Sequence, residues 1–343
     1  MINERSFPDP ERYDTIRTID MHTGGEPLRI VVSGLPPLPG NSILEKQLYF
    51  RENLDHLRTR IIHEPRGHND MYGAIVTGSV IDNCDFGVFF LHNEGYSSMC
   101  GHAVLALARY FYDNPYNQFN ISASNIRLEV PAGIVNAHVH LSNGKYHESS
   151  FINVPSFVYR ENVEVTLSDG REINVDIAFG GAFYAICELE QLGLLVTSPA
   201  KKFVALATEI KETLIKTIPI IHPIEPTLGF LYGVIFTGPS EQGENHSRNV
   251  CIFADSELDR SATGTGVSAR AALHFLRGEM KLHTNYFIES IIGSILSVSI
   301  TEETEFGGYK AIVPKVGGKA YYSGFHEFIF EKDDPLRNGF RLK

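Results

Sequence analysis

Residues 99–103 read Met-Cys-Gly-His-Ala, and residues 259–266 read Asp-Arg-Ser-Ala-Thr-Gly-Thr-Gly. In the first stretch Cys100 stands just ahead of an apolar run, Val104 to Tyr112. In the second, Thr263 stands just ahead of another, Val267 to Leu276. Each places a thiol or hydroxyl residue, then glycine, then a small or polar pair, before a helix-like segment. Backbone N–H groups at a helix start lack intrahelical partners and carry a partial positive charge. Such a start accommodates a carboxylate and lowers the pKa of a cysteine placed there. Two starts facing each other would hold an anionic ligand between Cys100 and Thr263. A single Cys-Gly-His reads as an ordinary glycine-containing turn; the repetition favours the paired site.

The flanking segments give these motifs a setting. The run after Cys100 is apolar nearly all round, so the spacing predicts a helix wrapped by structure on every side. The run after Thr263 is rich in small residues, with Gly278 placed to end it. Ser42 is read as the cap of a helix from Ile43 to about Leu57. Pro199 is read as opening another, from Ala200 to about Ile215, with Phe203, Val204, Ala207, Ile210 and Leu214 on one face. Short β-like runs dominate elsewhere. They include 134–141, 173–179 and 182–188, 230–236, 250–254, 292–300 and 309–313, and Gly180-Gly181 marks a hairpin. Strands followed by a buried helix, repeated once, suggest two similar halves. The polar stretch from Glu188 to Ser198 is the expected boundary, giving halves of 1–190 and 191–324.

A chain of 343 residues with 43% hydrophobic and 21% charged residues is an ordinary globular composition with room for a sizeable core. The net charge of −11 argues against a nucleic-acid partner, which favours a basic patch. It leaves room for an anionic small substrate, because helix starts act locally. No apolar run reaches the roughly 20 residues a membrane helix needs. The first ten residues lack the apolar core of a signal peptide, so Asn120-Ile121-Ser122 and Asn245-His246-Ser247 read as chance matches to a glycosylation acceptor. Cys84, Cys100, Cys187 and Cys251 show no zinc or redox spacing. Free thiols fit a reducing compartment, here the cytoplasm. Cys84, Cys187 and Cys251 sit in or beside apolar runs and are expected to be buried and inert. His22, His63, His68 and His92 match no metal-ligand spacing. No metal is expected, and Glu64, Arg66, His68 and Asp70 are read as shaping a loop beside the cleft.

Read together, the motifs resemble the proline racemase family over nearly the whole chain. The resemblance is carried by Asp20-Met21-His22-Thr23-Gly24-Gly25-Glu26-Pro27, then Glu64-Pro65-Arg66-Gly67-His68 with Asp70-Met71-Tyr72-Gly73. It continues through Asn93-Glu94-Gly95-Tyr96 and Met99-Cys100-Gly101-His102, then Phe179-Gly180-Gly181-Ala182-Phe183-Tyr184 and Asp259 to Gly266. It closes with Glu289-Ser290-Ile291-Ile292-Gly293-Ser294 and Asp333-Asp334-Pro335. The resemblance implies an α/β fold of two pseudo-symmetric domains, each a β-barrel around a central helix (diaminopimelate-epimerase-like). The site then lies in the cleft between them, and residues 325–343 return to the first domain.

One position departs from the racemases and epimerases of the family, which carry a second cysteine where this chain has Thr263. Threonine there marks the family's trans-3-hydroxy-L-proline dehydratases, and Ala182 points the same way. Ala262 in place of the usual proline is a minor loop change. The resemblance therefore implies cofactor-independent dehydration to pyrroline-2-carboxylate and water. Cys100 is the base for the C2 proton, and Thr263 is unable to act as a second base. Gly101, His102, Gly264 and Thr265 are expected at the substrate carboxylate or ring, and Asp259 at the ring ammonium, with a helix cap or an ion pair to Arg260 as its alternative. A proline racemase or hydroxyproline 2-epimerase, and a non-catalytic small-molecule-binding homologue, are the rival readings. The expected partner is a small imino acid, with a homodimer left open and no nucleic acid or membrane.

Overall fold

The computed structural model describes residues 13–114, 124–242, 245–254 and 256–342. The signal-peptide reading of the first ten residues and the Asn120 acceptor match lie outside them. Among the described residues are five α-helices: α1 (Ile43–Asn53), α2 (Asp55–Ile62), α3 (Gly101–Asp113), α4 (Ala200–Thr217) and α5 (Gly264–Leu276). The strands form one connected hydrogen-bonded network.

The twist and tilt of the strands wrap this network around two helices. Strands Glu26–Ser33, Gly133–Ser142 and Lys145–Ile152 pack around α3, together with Tyr13–Thr23 and Ala320–Glu331. Those last two pair antiparallel along their length, Tyr13 opposite Glu331 and Thr23 opposite Ala320, so the end of the chain completes the first half. Around α5 the strands close a ring. Ser156–Thr166 pairs with Glu172–Phe179, which pairs with Phe183–Glu188, then Leu231–Gly238 and Ser247–Phe253 follow. Tyr286–Glu289, Ile295–Phe306 and Tyr309–Gly318 complete it, and the last returns to Ser156–Thr166. Tyr309–Gly318 also pairs with Lys145–Ile152, which joins the halves. Both halves thus have the expected architecture of strands around a central helix. Because Ser156–Thr166, Glu172–Phe179 and Phe183–Glu188 all pack on α5, we propose that the change of half falls just before Ser156 rather than near residue 190.

The helices follow their sequence signals closely. Ser42 caps α1, its hydroxyl accepting from the Glu45 N–H at 3.1 Å. The expected single helix to Leu57 is instead broken at Leu54, whose backbone leaves the helical region. The cause is at Asp55, whose carboxylate accepts from the Arg58 guanidinium and from the Tyr96 hydroxyl and so anchors a new helix start. Phe203, Ala207, Ile210 and Leu214 of α4 are buried as expected, with Val204 at the margin. In α3 every residue from Gly101 to Ala108 is buried, so this helix lies inside its half rather than on it. The strand expected from Ile292 begins later, at Ile295, because Ser290 to Ser294 form a turn closed by the Ser290 N–H on the Ser294 carbonyl.

Candidate active site

The first residues of α3 and α5 touch. A methyl group built on Gly101 would lie 2.6 Å from the Gly264 Cα, and one built on Gly264 would lie 2.8 Å from the Gly101 Cα. Both distances are far inside van der Waals contact, so only glycine lets the two helix starts meet. Their unpaired N–H groups therefore converge on one small space. It is lined by Cys100, Gly101, His102, Asp259, Thr263, Gly264 and Thr265, with Met99, Tyr72, Tyr184, Tyr232 and Phe253 as walls. All seven residues singled out in the sequence line this space. Its free volume is about 20 Å³, room for about one water. A larger cavity, about 880 Å³, lies elsewhere in the second half and shares no residue with it.

Cys100 caps α3 in an extended conformation. Its Sγ lies 3.2 Å from His102 Nδ1, while His102 Nε2 lies 3.2 Å from the Pro27 carbonyl oxygen. A carbonyl only accepts, so Nε2 carries the ring proton and Nδ1 turns its lone pair toward the thiol. Burial holds the His102 imidazole below its ordinary pKa, against the pull of Asp259 and the Pro27 carbonyl. The neutral ring is thus the resting form. Burial also pushes the Cys100 thiol well above its ordinary value; the Ala103 N–H and the Tyr72 hydroxyl lower it, and Asp259 and Glu26 raise it further. The expectation that the helix start lowers the thiol pKa is corrected here: the Ala103 N–H does so, but burial outweighs it.

On the opposite side Thr263 takes the cap position of α5 with φ 64° and ψ 95°. A β-branched residue rarely adopts this conformation, at a cost of roughly 1–3 kcal/mol. The loop holds it there. The Thr263 N–H donates to Ser261 Oγ at 3.0 Å, and the Thr263 hydroxyl donates to Asp259 Oδ2 at 2.7 Å. Asp259 Oδ1 accepts from the Ser261 N–H at 2.7 Å. Thr265 Oγ1 meets the Tyr184 hydroxyl at 2.7 Å. Asp259 makes no ion pair with Arg260. The Arg260 side chain crosses to Asp70 at 2.9 Å, and its N–H donates to Glu26 Oε2 at 2.7 Å. Asp70 and Glu26 belong to the first half, so Arg260 clasps the halves beside the site.

Several residues of the site escaped the sequence reading. Tyr72 and Tyr184 stand inside quoted motifs, a signal that could have found them; Tyr232 and Phe253 stand in plain β-like runs. Glu26 is fully buried, and burial together with Asp259 raises its carboxyl well above the ordinary range. Cys251 is buried against Thr263 but does not reach the free space. The four cysteines are unpaired, and Cys84 is only partly buried, short of the buried position expected for it. Among the described residues no group of three or more His, Cys, Asp or Glu side chains is placed to hold a metal. None of their helices is long and apolar enough to cross a membrane.

Two helix starts facing each other across a thiol, within twin strand-wrapped halves, define a class. The sequence model for proline racemase matches residues 18–341, and the chain belongs to the proline racemase family. Among its relatives, a trans-3-hydroxy-L-proline dehydratase of Colwellia psychrerythraea is 45% identical over 98% of this chain and 95% of its own. A human trans-3-hydroxy-L-proline dehydratase is 42% identical over 96% and 95%. Among solved structures, a hydroxyproline epimerase from Agrobacterium vitis with bound trans-4-hydroxy-L-proline superposes with a TM-score of 0.88. It is 25% identical and covers 96% of each chain.

Proposed function

We propose that this protein dehydrates trans-3-hydroxy-L-proline to pyrroline-2-carboxylate and water, without a cofactor, in the cytoplasm. One observation carries the reading. The site has a titratable thiol, Cys100, on one side, while on the other the hydroxyl of Thr263 has its only proton committed to Asp259. Racemisation needs an acid on the face opposite the base. Threonine, with that proton engaged, can accept a hydrogen bond from the substrate but cannot supply an acid. Cys251 lies behind Thr263, outside the free space. The named dehydratases at 42–45% identity support the same reading.

The hydroxyl at C3 of the substrate lies trans to the carboxylate, hence on the same ring face as the C2 hydrogen. One group on that face reaches both. Before the site closes, the resting thiol loses its proton to solvent and leaves a thiolate beside the neutral His102 ring, the reactive form. The thiolate removes the C2 proton, and the electron pair of that bond becomes the C2=C3 double bond. The C3–O bond breaks, and the oxygen leaves as water with the proton now on Cys100, so the thiolate is regenerated. The N–H groups at the starts of α3 and α5 bind the carboxylate and meet the charge that builds on it in the transition state. Asp259 accepts from the ring ammonium. Because the free space holds about one water, the walls around it must move to admit the ring, and their closing on it excludes bulk water during the reaction.

The test is incubation of the protein with trans-3-hydroxy-L-proline, L-proline and trans-4-hydroxy-L-proline in separate tubes in heavy water, followed by proton NMR and by optical rotation. Loss of the C3 carbinol signal from the first alone is expected. Inversion of either of the other two without elimination would sink the proposal. No reaction with any of the three would favour the non-catalytic homologue.

A further inference from the structure

The larger cavity contains a charge that the active site does not use. Arg270 lies further along α5 and is only 3% exposed. Its Nη1 donates to Asn249 Oδ1 at 2.6 Å, and its Nη2 donates to Ser247 Oγ and to His274 Nε2, each at 2.9 Å. Its Nε is buried with no partner. A guanidinium cannot accept, so His274 Nε2 offers a lone pair and its ring proton sits on Nδ1, donated to Glu279. Burial holds His274 down at about 4, which keeps it neutral. All three acceptors around Arg270 are therefore uncharged. Among the described residues no carboxylate lies within ion-pair distance of it, whereas Arg248 nearby has two, Glu241 and Glu289. Its nearest counter-charges, Glu279 behind His274 and Glu188 at the cavity edge, favour its charge only without direct contact, so an anion placed directly against the guanidinium would stabilise it further.

Arg270 lies on the wall of the cavity of about 880 Å³, within the size range of small-molecule sites. Leu189, Leu194 and Val196 supply an apolar wall, and the exposed Glu188 and Glu190 stand at its edge. Glu241, also lining it, is already paired. A simple anion would meet Arg270 but also the two free carboxylates, and a simple cation would meet the reverse. A zwitterion satisfies both ends. We propose that this cavity is a second site, separate from the catalytic one, for a free amino acid with an apolar side chain. Its carboxylate pairs with Arg270, its ammonium faces Glu188 and Glu190, and its side chain lies on Leu189, Leu194 and Val196.

Titration calorimetry on the full chain with L-leucine tests this, with 4-methylpentanoate and 3-methylbutylamine as probes that each lack one charge. Leucine should bind at one site per chain, and each analogue at least about tenfold more weakly, the scale expected when one partner of a desolvated charge pair is removed. Arg270→Gln should lose leucine by at least the same factor. Should that variant fail to fold, Val196→Trp fills the cavity from its partly exposed edge; it should abolish leucine binding while turnover at the catalytic site is unchanged. Asp259→Asn should leave leucine binding as it is. Three results would each overturn the proposal: no leucine binding at millimolar concentration, equal affinity for 4-methylpentanoate, or wild-type affinity in Val196→Trp. Loss of binding in Asp259→Asn would also do so, since it would place leucine in the catalytic site.

Discussion

The contact between Gly101 and Gly264 is open to a direct test through Gly264→Ala. The added methyl would stand 2.8 Å from the Gly101 Cα and 3.3 Å from the Gly101 carbonyl carbon, while ordinary contact begins at 3.4 Å. Both neighbours are backbone, so no flexible side chain can move aside. The two helix starts must part by about 0.6 Å, the gap between 2.8 and 3.4 Å. The converging N–H groups then sit too far apart to grip one carboxylate together. Misplacement on the scale of 1 Å costs about 100-fold in rate. We expect kcat/KM for dehydration to fall by about 10- to 100-fold, equivalent to about 1.4–2.7 kcal/mol of transition-state stabilisation. The fold should survive, because alanine is the better helix former by up to about 1 kcal/mol. Gly101→Ala is tighter, with its methyl 2.6 Å from the Gly264 Cα and 3.2 Å from the Phe151 ring, and should lose more. Initial rates by NMR, with thermal melts as the control for folding, decide the matter. A folded Gly264→Ala variant with kcat/KM within about twofold of wild type would refute the claim that both starts grip the substrate.

Cys100→Ser should fold normally and lose measurable turnover, since a serine hydroxyl is far less acidic than a thiol; near-normal rates would remove Cys100 as the base. Thr263→Cys should gain slow deuterium incorporation with inversion at C2 of proline in heavy water, and wild type should show none. Because burial raises the Cys100 thiol above its ordinary pKa, the reactive thiolate becomes more populated as pH rises. Then kcat/KM should climb from neutral into alkaline pH, and a profile flat from about pH 6 to 9 would count against the thiolate step. Burial lowers His92 from 6.5 to about 3. The unfolded chain therefore binds this proton more readily, so the contribution of His92 is full above pH 6.5 and is lost as pH falls toward 3. Urea midpoints should drop over that window, and drop less in His92→Phe.

The sequence shows clearly where its information is local. The Ser42 cap, the all-apolar face of α3 and the proline and amphipathic stripe of α4 are each written within a few residues, and those elements appear where expected. The break at Leu54 is not local, because it depends on Tyr96 reaching Asp55 from a distant strand. The pairing of Tyr13–Thr23 with Ala320–Glu331 has no signature in either segment alone. The site divides in the same way. Cys100 and Thr263, with the glycines after them, form motifs. Tyr232 and Phe253 read as ordinary strand residues, and only the closing of the ring around α5 brings them to the thiol. The pKa of Cys100 was the least legible quantity, since a helix start can be read from sequence but the depth of burial cannot.

The two look-alike motifs differ most in their backbones. Cys100 caps α3 at φ −143° and ψ 110°, a relaxed extended conformation. Thr263 caps α5 at φ 64° and ψ 95°. That difference in φ turns the two side chains to different partners. The thiol faces His102 Nδ1, a proton acceptor. The hydroxyl faces Asp259, which holds its proton and leaves only a lone pair for a ligand. The strained φ is maintained by the Ser261 hydroxyl and the Asp259 carboxylate, and the Asp259 loop is fixed to the first half through Arg260, Glu26 and Asp70. A pseudo-symmetric fold thereby produces a chemically one-sided site. Replacing Thr263 changes the residue but not the loop that sets its φ, so a cysteine placed there inherits a carboxylate neighbour that disfavours its thiolate. For this reason the racemisation gained by Thr263→Cys should be slow, and Asp259, which also serves the ring ammonium, cannot be removed to speed it up.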